Sequence, residues 1–171
     1  AVDRALVKFL NGSKAPLLLA ADEPILSIYR RHNRYDGILD EVIAGNPRRL
    51  TVRELATLAE PIIDKIRQER AKHLLERYEN SKPLGRAEDK LDEVLAMATA
   101  GRVDVLFTDP LALKWGFAVE DGRPLQTDEQ ASGAEDLINL AAIETLKNSG
   151  NVVEVTSPEI HDVGVAALLR Y

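Results

Sequence analysis

Apolar side chains recur at helical spacing over Val2, Ala5, Leu6, Phe9 and Leu10, and Asn11-Gly12 is a helix terminator. Pro16 opens Leu17-Leu-Leu-Ala-Ala21, a short uncharged run closed by Asp22-Glu23-Pro24, which predicts a buried strand. Ile25 to Arg31 continues as a short helix carrying Leu26, Ile28 and Tyr29, completing a strand-to-helix unit. From His32 to Leu50 no period is sustained. Asn33, Asp36-Gly37 and Gly45-Asn46-Pro47 are turn signals, and the apolar positions between them fit a helical turn over Ile38 to Ile43.

A long helix follows. Thr51-Val-Arg-Glu54 is a capping box, in which hydroxyl and carboxylate satisfy free N–H groups of the first turn. Leu55, Leu58, Ala59, Ile62, Ile63 and Ile66 share one face, and Leu74, Leu75 and Tyr78 extend it to about Asn80. The polar tract from Asp64 to Arg77, His73 included, forms the solvated back. Pro61 lacks an N–H, so a kink or a break is expected there.

After a linker at Ser81 to Gly85, Ala87, Leu91, Val94, Leu95 and Ala98 mark an amphipathic helix ending at Gly101. Val103 to Phe107 is a strand stopped by Asp109-Pro110. Lys114 to Val119 and Arg123 to Thr127 flank Asp121-Gly122 and predict a surface hairpin. Ser132-Gly-Ala-Glu135 has the form of a second capping box, starting a helix through Leu137, Leu140, Ala141 and Leu146. Val152, Val153 and Val155 make a β-branched strand that Ser157-Pro158 ends. Gly164 to Leu169 then runs without a charge or a hydroxyl between Asp162 and Arg170-Tyr171. Such a run suits a central strand covered on both faces, with Gly164, Ala166 and Ala167 leaving room for close-packed helices. Helices and strands in this order predict an α/β fold: a three-layer sandwich, a central mixed β-sheet with helices on both faces.

The segment Ser157-Pro-Glu-Ile-His-Asp-Val-Gly-Val-Ala-Ala-Leu-Leu-Arg-Tyr171 is similar to the end of the third domain of archaeal and eukaryotic peptide-chain release factors and of pelota. There a Gly- or Ala-rich stretch ends in Leu-Arg-Tyr or Leu-Arg-Phe. Arg30-Arg-His-Asn-Arg-Tyr35, Val42-Ile-Ala-Gly-Asn-Pro47 and Gly101-Arg-Val-Asp-Val-Leu-Phe107, in that order, resemble the bacterial branch of the superfamily. The resemblance implies a third-domain fold, similar to that of ribosomal proteins that grip kinked RNA. It also implies docking to a translational GTPase and engagement of the ribosome, in rescue or hibernation.

Composition narrows the setting. A chain of 171 residues is most simply one domain, burying about 70% of its unfolded surface. It lacks an initiator Met and opens inside a helical pattern, so the expectation is a single module at the C-terminal end of a longer protein. With no cysteine there is neither a disulfide framework nor thiolate chemistry, and a reducing cytoplasm is expected. No stretch approaches the ~20 apolar residues of a membrane span, so no membrane partner is expected. The Asn11-Gly12-Ser13 sequon is accordingly read as accidental. Net charge is −6, which argues against non-specific nucleic-acid binding and against a DNA partner. Residues 1–85 carry 15 basic and 12 acidic side chains (+3), whereas residues 86–171 carry 7 and 16 (−9). Any basic face is therefore local.

Catalytic patterns are sparse. No two of the ten glycines are adjacent, and no phosphate-cradling Gly-x-Gly-x-x-Gly occurs. No serine sits in a Gly-x-Ser-x-Gly turn. Three scattered histidines without cysteine make a poor zinc set, and Asp89, Asp92 and Glu93 read as solvent-facing. His161 reads as a loop histidine satisfied by neighbouring backbone. The Gly-Gly-Gln loop with which full-length release factors hydrolyse peptidyl-tRNA is missing from these residues, as is any codon-reading motif. No catalytic, cofactor or metal site is expected.

The contact candidates lie in the aperiodic stretch: Arg30, Arg31, His32, Asn33, Arg34 and Tyr35, with Asn46, Arg48 and Arg49. Arginine suits bidentate recognition of phosphate or carboxylate, and tyrosine supplies a rigid anchor. Two readings stand: a binding surface, or a solvated rim whose arginines pair with Asp36, Asp40 and Glu41. The expected function is a non-catalytic docking domain of a ribosome-associated bacterial release-factor-like protein. Its expected partners are the ribosome or a translational GTPase, or ribosomal RNA if the module binds structured RNA directly. The remaining alternative is an unrecognised hydrolase, with Asp36 and His161 as the groups to test.

Overall fold

The computed structural model describes residues 2–10, 15–117, 124–127, 131–156, 160 and 164–171, and the chain divides into two compact units, residues 1–68 and 69–171. Unit 1 begins with helix α1 (Val2–Phe9), followed by strand β1 (Leu17–Ala21), helix α2 (Glu23–His32) and strand β2 (Ile38–Ala44). Strands β1 and β2 run parallel, with Leu17 opposite Ile38 and Ala21 opposite Ala44, so α2 is the crossover of a β-α-β unit. The helical turn expected over Ile38–Ile43 is thus a strand. Ile38, Leu39, Val42 and Ile43 satisfy either period; pairing with the Leu-rich β1, which is non-local, decides between them. Leu26 of α2 is the one fully buried apolar side chain among the described residues of this unit.

Asn46 caps a 3-10 turn at Pro47–Arg49, and helix α3 (Val52–Ser81) follows. The capping box forms as expected: Thr51 N–H donates to Glu54 Oε2 at 2.7 Å, and Glu54 N–H donates to Thr51 Oγ1 at 3.3 Å. Helical structure continues without a break through Pro61 for 30 residues. Propagation from both sides outweighs the single missing donor.

Unit 2 is built on a four-stranded mixed sheet. Its strands are β3 (Ala87–Glu88), β4 (Val103–Thr108), then β8 (Asn151–Glu154) and β9 (Val165–Leu169), once β5 (Trp115–Phe117), β6 (Leu125–Thr127) and β7 (Glu135–Asp136) are numbered between them. The order is β3-β9-β4-β8, with β4–β8 parallel and the other pairs antiparallel. All five residues of β9 are buried, as its uncharged sequence requires. Alternation sends Val165, Ala167 and Leu169 into one core, and Ala166 and Leu168 into the other.

The first core is closed by helices α4 (Leu91–Thr99) and α5 (Leu137–Lys147), through Leu91, Val94, Leu95, Ala98, Leu137, Ile138 and Ala141. The second is closed by the last turns of α3, through Leu74 and Tyr78 against Phe107, with Val155 and Ile160. This is the expected three-layer α/β sandwich with helices on both faces. Gly164, at φ +76°, turns the chain into β9, and a Cβ there would lie 2.7 Å from that of Ala112.

Three boundaries differ from expectation. Ala87 belongs to β3 because it pairs with Leu168, so α4 starts at Leu91. Ser132–Glu135 does not cap α5: Asp136 does, accepting from the Ile138 N–H at 3.1 Å. Glu135–Asp136 instead forms β7, a third strand beside the expected β5–β6 hairpin, in which Trp115 opposes Thr127 and Phe117 opposes Leu125. The turns at Asn11-Gly12, Asp121-Gly122 and Ser157-Pro158, and the residues His161 and Asp162, lie outside the described residues. Among those described, no helix is long and apolar enough to cross a membrane.

Candidate functional site

The β-α-β topology of unit 1 separates the contact candidates. Arg30 to His32 form the last turn of α2 and Asn33 to Tyr35 follow it, at the amino ends of the two strands, where Leu17 N–H donates to the Gly37 carbonyl at 2.7 Å. Asn46, Arg48 and Arg49 lie at the carboxyl ends, where Gly45 N–H donates to the Ala21 carbonyl at 3.2 Å. The seven residues of β2 stand between them, so the two groups are about 20 Å apart. They do not form one continuous rim.

At the amino end the side chains are occupied in holding the fold. Arg30 donates to the carbonyls of Leu39 and Asp40, tying α2 to β2. His32 Nδ1 lies 2.9 Å from the Ile28 carbonyl one turn back, a donor in that tautomer. Asn33 Nδ2 donates to the Tyr35 carbonyl at 2.7 Å, and Tyr35 N–H donates back to Asn33 Oδ1 at 3.0 Å. Tyr35 Oη donates to the Ala15 carbonyl at 2.6 Å. Arg34 binds Asp3 of α1, a residue the aperiodic stretch gave no reason to consider. The Arg34 amide, assisted by its side chain, holds the Asp3 carboxyl below the usual carboxylate range. Arg31 is exposed at the end of α2.

The expected pairing of arginines with Asp36, Asp40 and Glu41 is replaced among the described residues. Arg30 takes the backbone of Asp40 and not its carboxylate, and Glu41 faces Lys65 at 3.6 Å. Burial pushes the Tyr29 phenol up, and its Oη has no hydrogen-bond partner among the described residues.

The carboxyl end is organised differently. Gly45 turns at φ +119°, and Asn46 Oδ1 accepts from the Arg48 N–H at 3.0 Å. That cap directs Arg48 and Arg49 outward from a single 3-10 turn, both exposed and without an ion pair among the described residues. Beside them an open cavity of about 340 Å³ is lined by Ile43, Ala44, Pro47, Arg49, Leu50 and Leu58. The apolar floor and the guanidinium at its edge can hold an apolar side chain next to an acidic group or a phosphate. Leu58 was legible as part of the apolar face of the long helix and Leu50 only as the end of the aperiodic stretch; their convergence with Ile43 depends on β2 being a strand.

No group of three or more His, Cys, Asp or Glu side chains is placed to hold a metal ion among the described residues. Of the acidic trio near α4, Asp92 accepts from Gln126 Nε2 at 2.7 Å and so anchors β6.

Residues 1–102 match the model of bacterial archaeo-eukaryotic release factor family 3. The chain belongs to that family. No curated protein matches it in sequence. Among solved structures, the C-terminal domain of peptide chain release factor from Methanosarcina mazei is similar at 17% identity and a TM-score of 0.50, over 71% of this chain and 96% of that one. Dom34 of S. cerevisiae, described as a translation termination-like factor involved in RNA quality control pathways and interacting with Hbs1, is similar at 14% identity and a TM-score of 0.55. That match covers 99% of the family chain and 50% of Dom34, so the chain spans about half of Dom34's length. At these identities the likeness is one of fold, and it agrees with the release-factor and pelota architecture expected from the C-terminal signature.

Proposed function

We propose that residues 1–171 act as one non-catalytic docking module in a ribosome-associated bacterial release-factor-like protein, with a role in translational rescue, a termination-like event or hibernation. Membership of the release factor family carries this reading. The partners it implies are the ribosome or a translational GTPase, in the way that Dom34 is described as interacting with Hbs1. Arg48 and Arg49, beside the Ile43–Leu58 cavity, are the contact residues, because they are exposed and free of the structural bonds that occupy Arg30, Arg34 and Tyr35.

Co-sedimentation with bacterial ribosomes at low and moderate salt tests the proposal, comparing wild type with an Arg48→Glu/Arg49→Glu variant. Binding that the variant loses supports both the ribosome reading and this contact. Binding that the variant keeps moves the contact elsewhere. A wild type that fails to sediment with ribosomes at any salt sinks the reading. Direct contact with structured RNA predicts an affinity slope of about −0.9 per neutralised phosphate, whereas a protein seated in the cavity gives a shallower one.

A further inference from the structure

Three arginines distant in sequence meet at one end of the four-stranded sheet of unit 2. Arg86 precedes β3, Arg102 precedes β4 and Arg170 follows β9. Backbone bonds join them: Leu169 N–H donates to the Arg86 carbonyl at 3.0 Å, and Arg170 N–H donates to the Arg102 carbonyl at 2.9 Å. With strands about 4.8 Å apart, the three Cα atoms fall within about 10 Å of one another, Arg102 and Arg170 as a directly opposed pair and Arg86 opposite Leu169, reaching the sheet end from the other face. Residues 86–171 carry 7 basic side chains against 16 acidic ones, and three of the seven are gathered here.

Two acidic side chains of this unit are engaged by other cations. Asp104 faces Arg77 at 3.5 Å and Glu79 binds Lys82 at 2.7 Å. Arg86 is exposed and has no ion pair among the described residues. Arg170 spends one N–H on the Asn148 carbonyl at 2.7 Å. Arg102 Nε is shielded from solvent and donates to nothing among the described residues. The Arg102 guanidinium lies 5.6 Å from the centroid of the Tyr171 ring, and its Nη2 is 3.5 Å from the Tyr171 carbonyl. The cation covers one face of the ring, while Tyr171 as a whole stays 67% exposed.

We infer that this sheet end binds a single-stranded RNA segment, its phosphodiester oxygens held by Arg86, Arg102 and Arg170 and one base stacked on the open face of Tyr171. Guanidinium forks would serve the carboxylates of an acidic peptide equally well, but such a peptide has no flat group for the ring. Every base has one, and aromatic platforms flanked by arginine suit single strands without sequence preference. The inference gives the translation reading a contact of stated chemistry. It does not involve Arg48 or Arg49, and its probe is free RNA, so it can fail while ribosome association stands.

The experiment is fluorescence anisotropy of a short labelled oligoadenylate with the full chain across a salt series. Wild type is expected to bind with an affinity that falls with salt. Arg86→Gln with Arg170→Gln is expected to flatten the log–log slope by about 1.4, at about 0.7 per single-strand phosphate. Tyr171→Ala is expected to weaken binding about tenfold with little change in slope, and Tyr171→Trp to tighten it. Melting curves that match wild type show that the exposed variants fold. The inference is overturned by an Arg86/Arg170 variant with unchanged affinity and slope, by no binding at low salt, or by tighter binding of a labelled polyglutamate peptide than of the RNA.

Discussion

Arg34 holds Asp3 through two different groups, its backbone amide at 3.1 Å and its Nε at 3.0 Å. The Asp3 side chain is 13% exposed against 69% for that of Arg34, so the carboxylate is the sheltered partner. The pair stitches α1 to the turn that follows α2, across 31 residues of sequence.

Folding lowers the proton affinity of the Asp3 carboxyl, chiefly through the Arg34 amide. The contact is therefore fully present above the ordinary aspartate value of about 3.9 and is lost as the pH falls through the lowered one. The Arg34 amide proton, followed by NMR during acidification, should shift with that transition. In Asp3→Asn the transition should vanish, and an unchanged titration would refute the pairing.

Tyr78 behaves in the opposite sense. Burial, with Asp89 and Glu79 adding negative charge, pushes its phenol well above the ordinary value. Above about pH 10 the unfolded chain releases this proton and the folded chain keeps it, so stability should fall as the pH climbs past that point. Tyr78→Phe should reduce that alkaline loss in urea melts. The ring itself packs edge-on to Phe107 at 5.7 Å, so Phe107→Ala should cost about 3–5 kcal/mol at neutral pH.

Gly164→Ala should destabilise unit 2 by about 2 kcal/mol, since it combines a left-handed φ with a contact 2.7 Å from the Ala112 Cβ. Gly85→Ala meets the same sign of φ with open space around it, and should cost only about 1 kcal/mol. Denaturation midpoints of the two variants check the ranking.

Thr51→Ala removes half of the reciprocal cap at the start of α3. The expected loss is about 1 kcal/mol, read as faster amide exchange in the first turn of the helix.

The central strand was legible because both of its faces are apolar, and two buried faces leave a local mark. The β2 strand was not, since its apolar positions fit two periods and its partners in β1 lie 21 to 23 residues upstream in the register. The two-residue β3 and β7 exist only through their partners and carry no period at all. Of the contact candidates, the sequence showed the charges but not their commitments: Arg30, Asn33, Arg34 and Tyr35 bind backbone or Asp3. The cluster of Arg86, Arg102 and Arg170 was hidden for the complementary reason. Each residue merely borders a strand, and only the order β3-β9-β4 makes them neighbours.

The placement of β9 has a consequence for synthesis. Among the described residues β3 pairs with no strand but β9, and β4 faces β9 along one whole edge, yet β9 follows both by more than fifty residues. Until Val165–Leu169 has been made, a nascent chain holds an unpaired β3, an open edge on β4 and two half-formed cores. Unit 2 is thus built to fold after its last strand is translated, with long-range closure as the slow step. A polypeptide cut short before Val165 would expose the apolar interior that the finished sheet hides, marking it for chaperones or proteases.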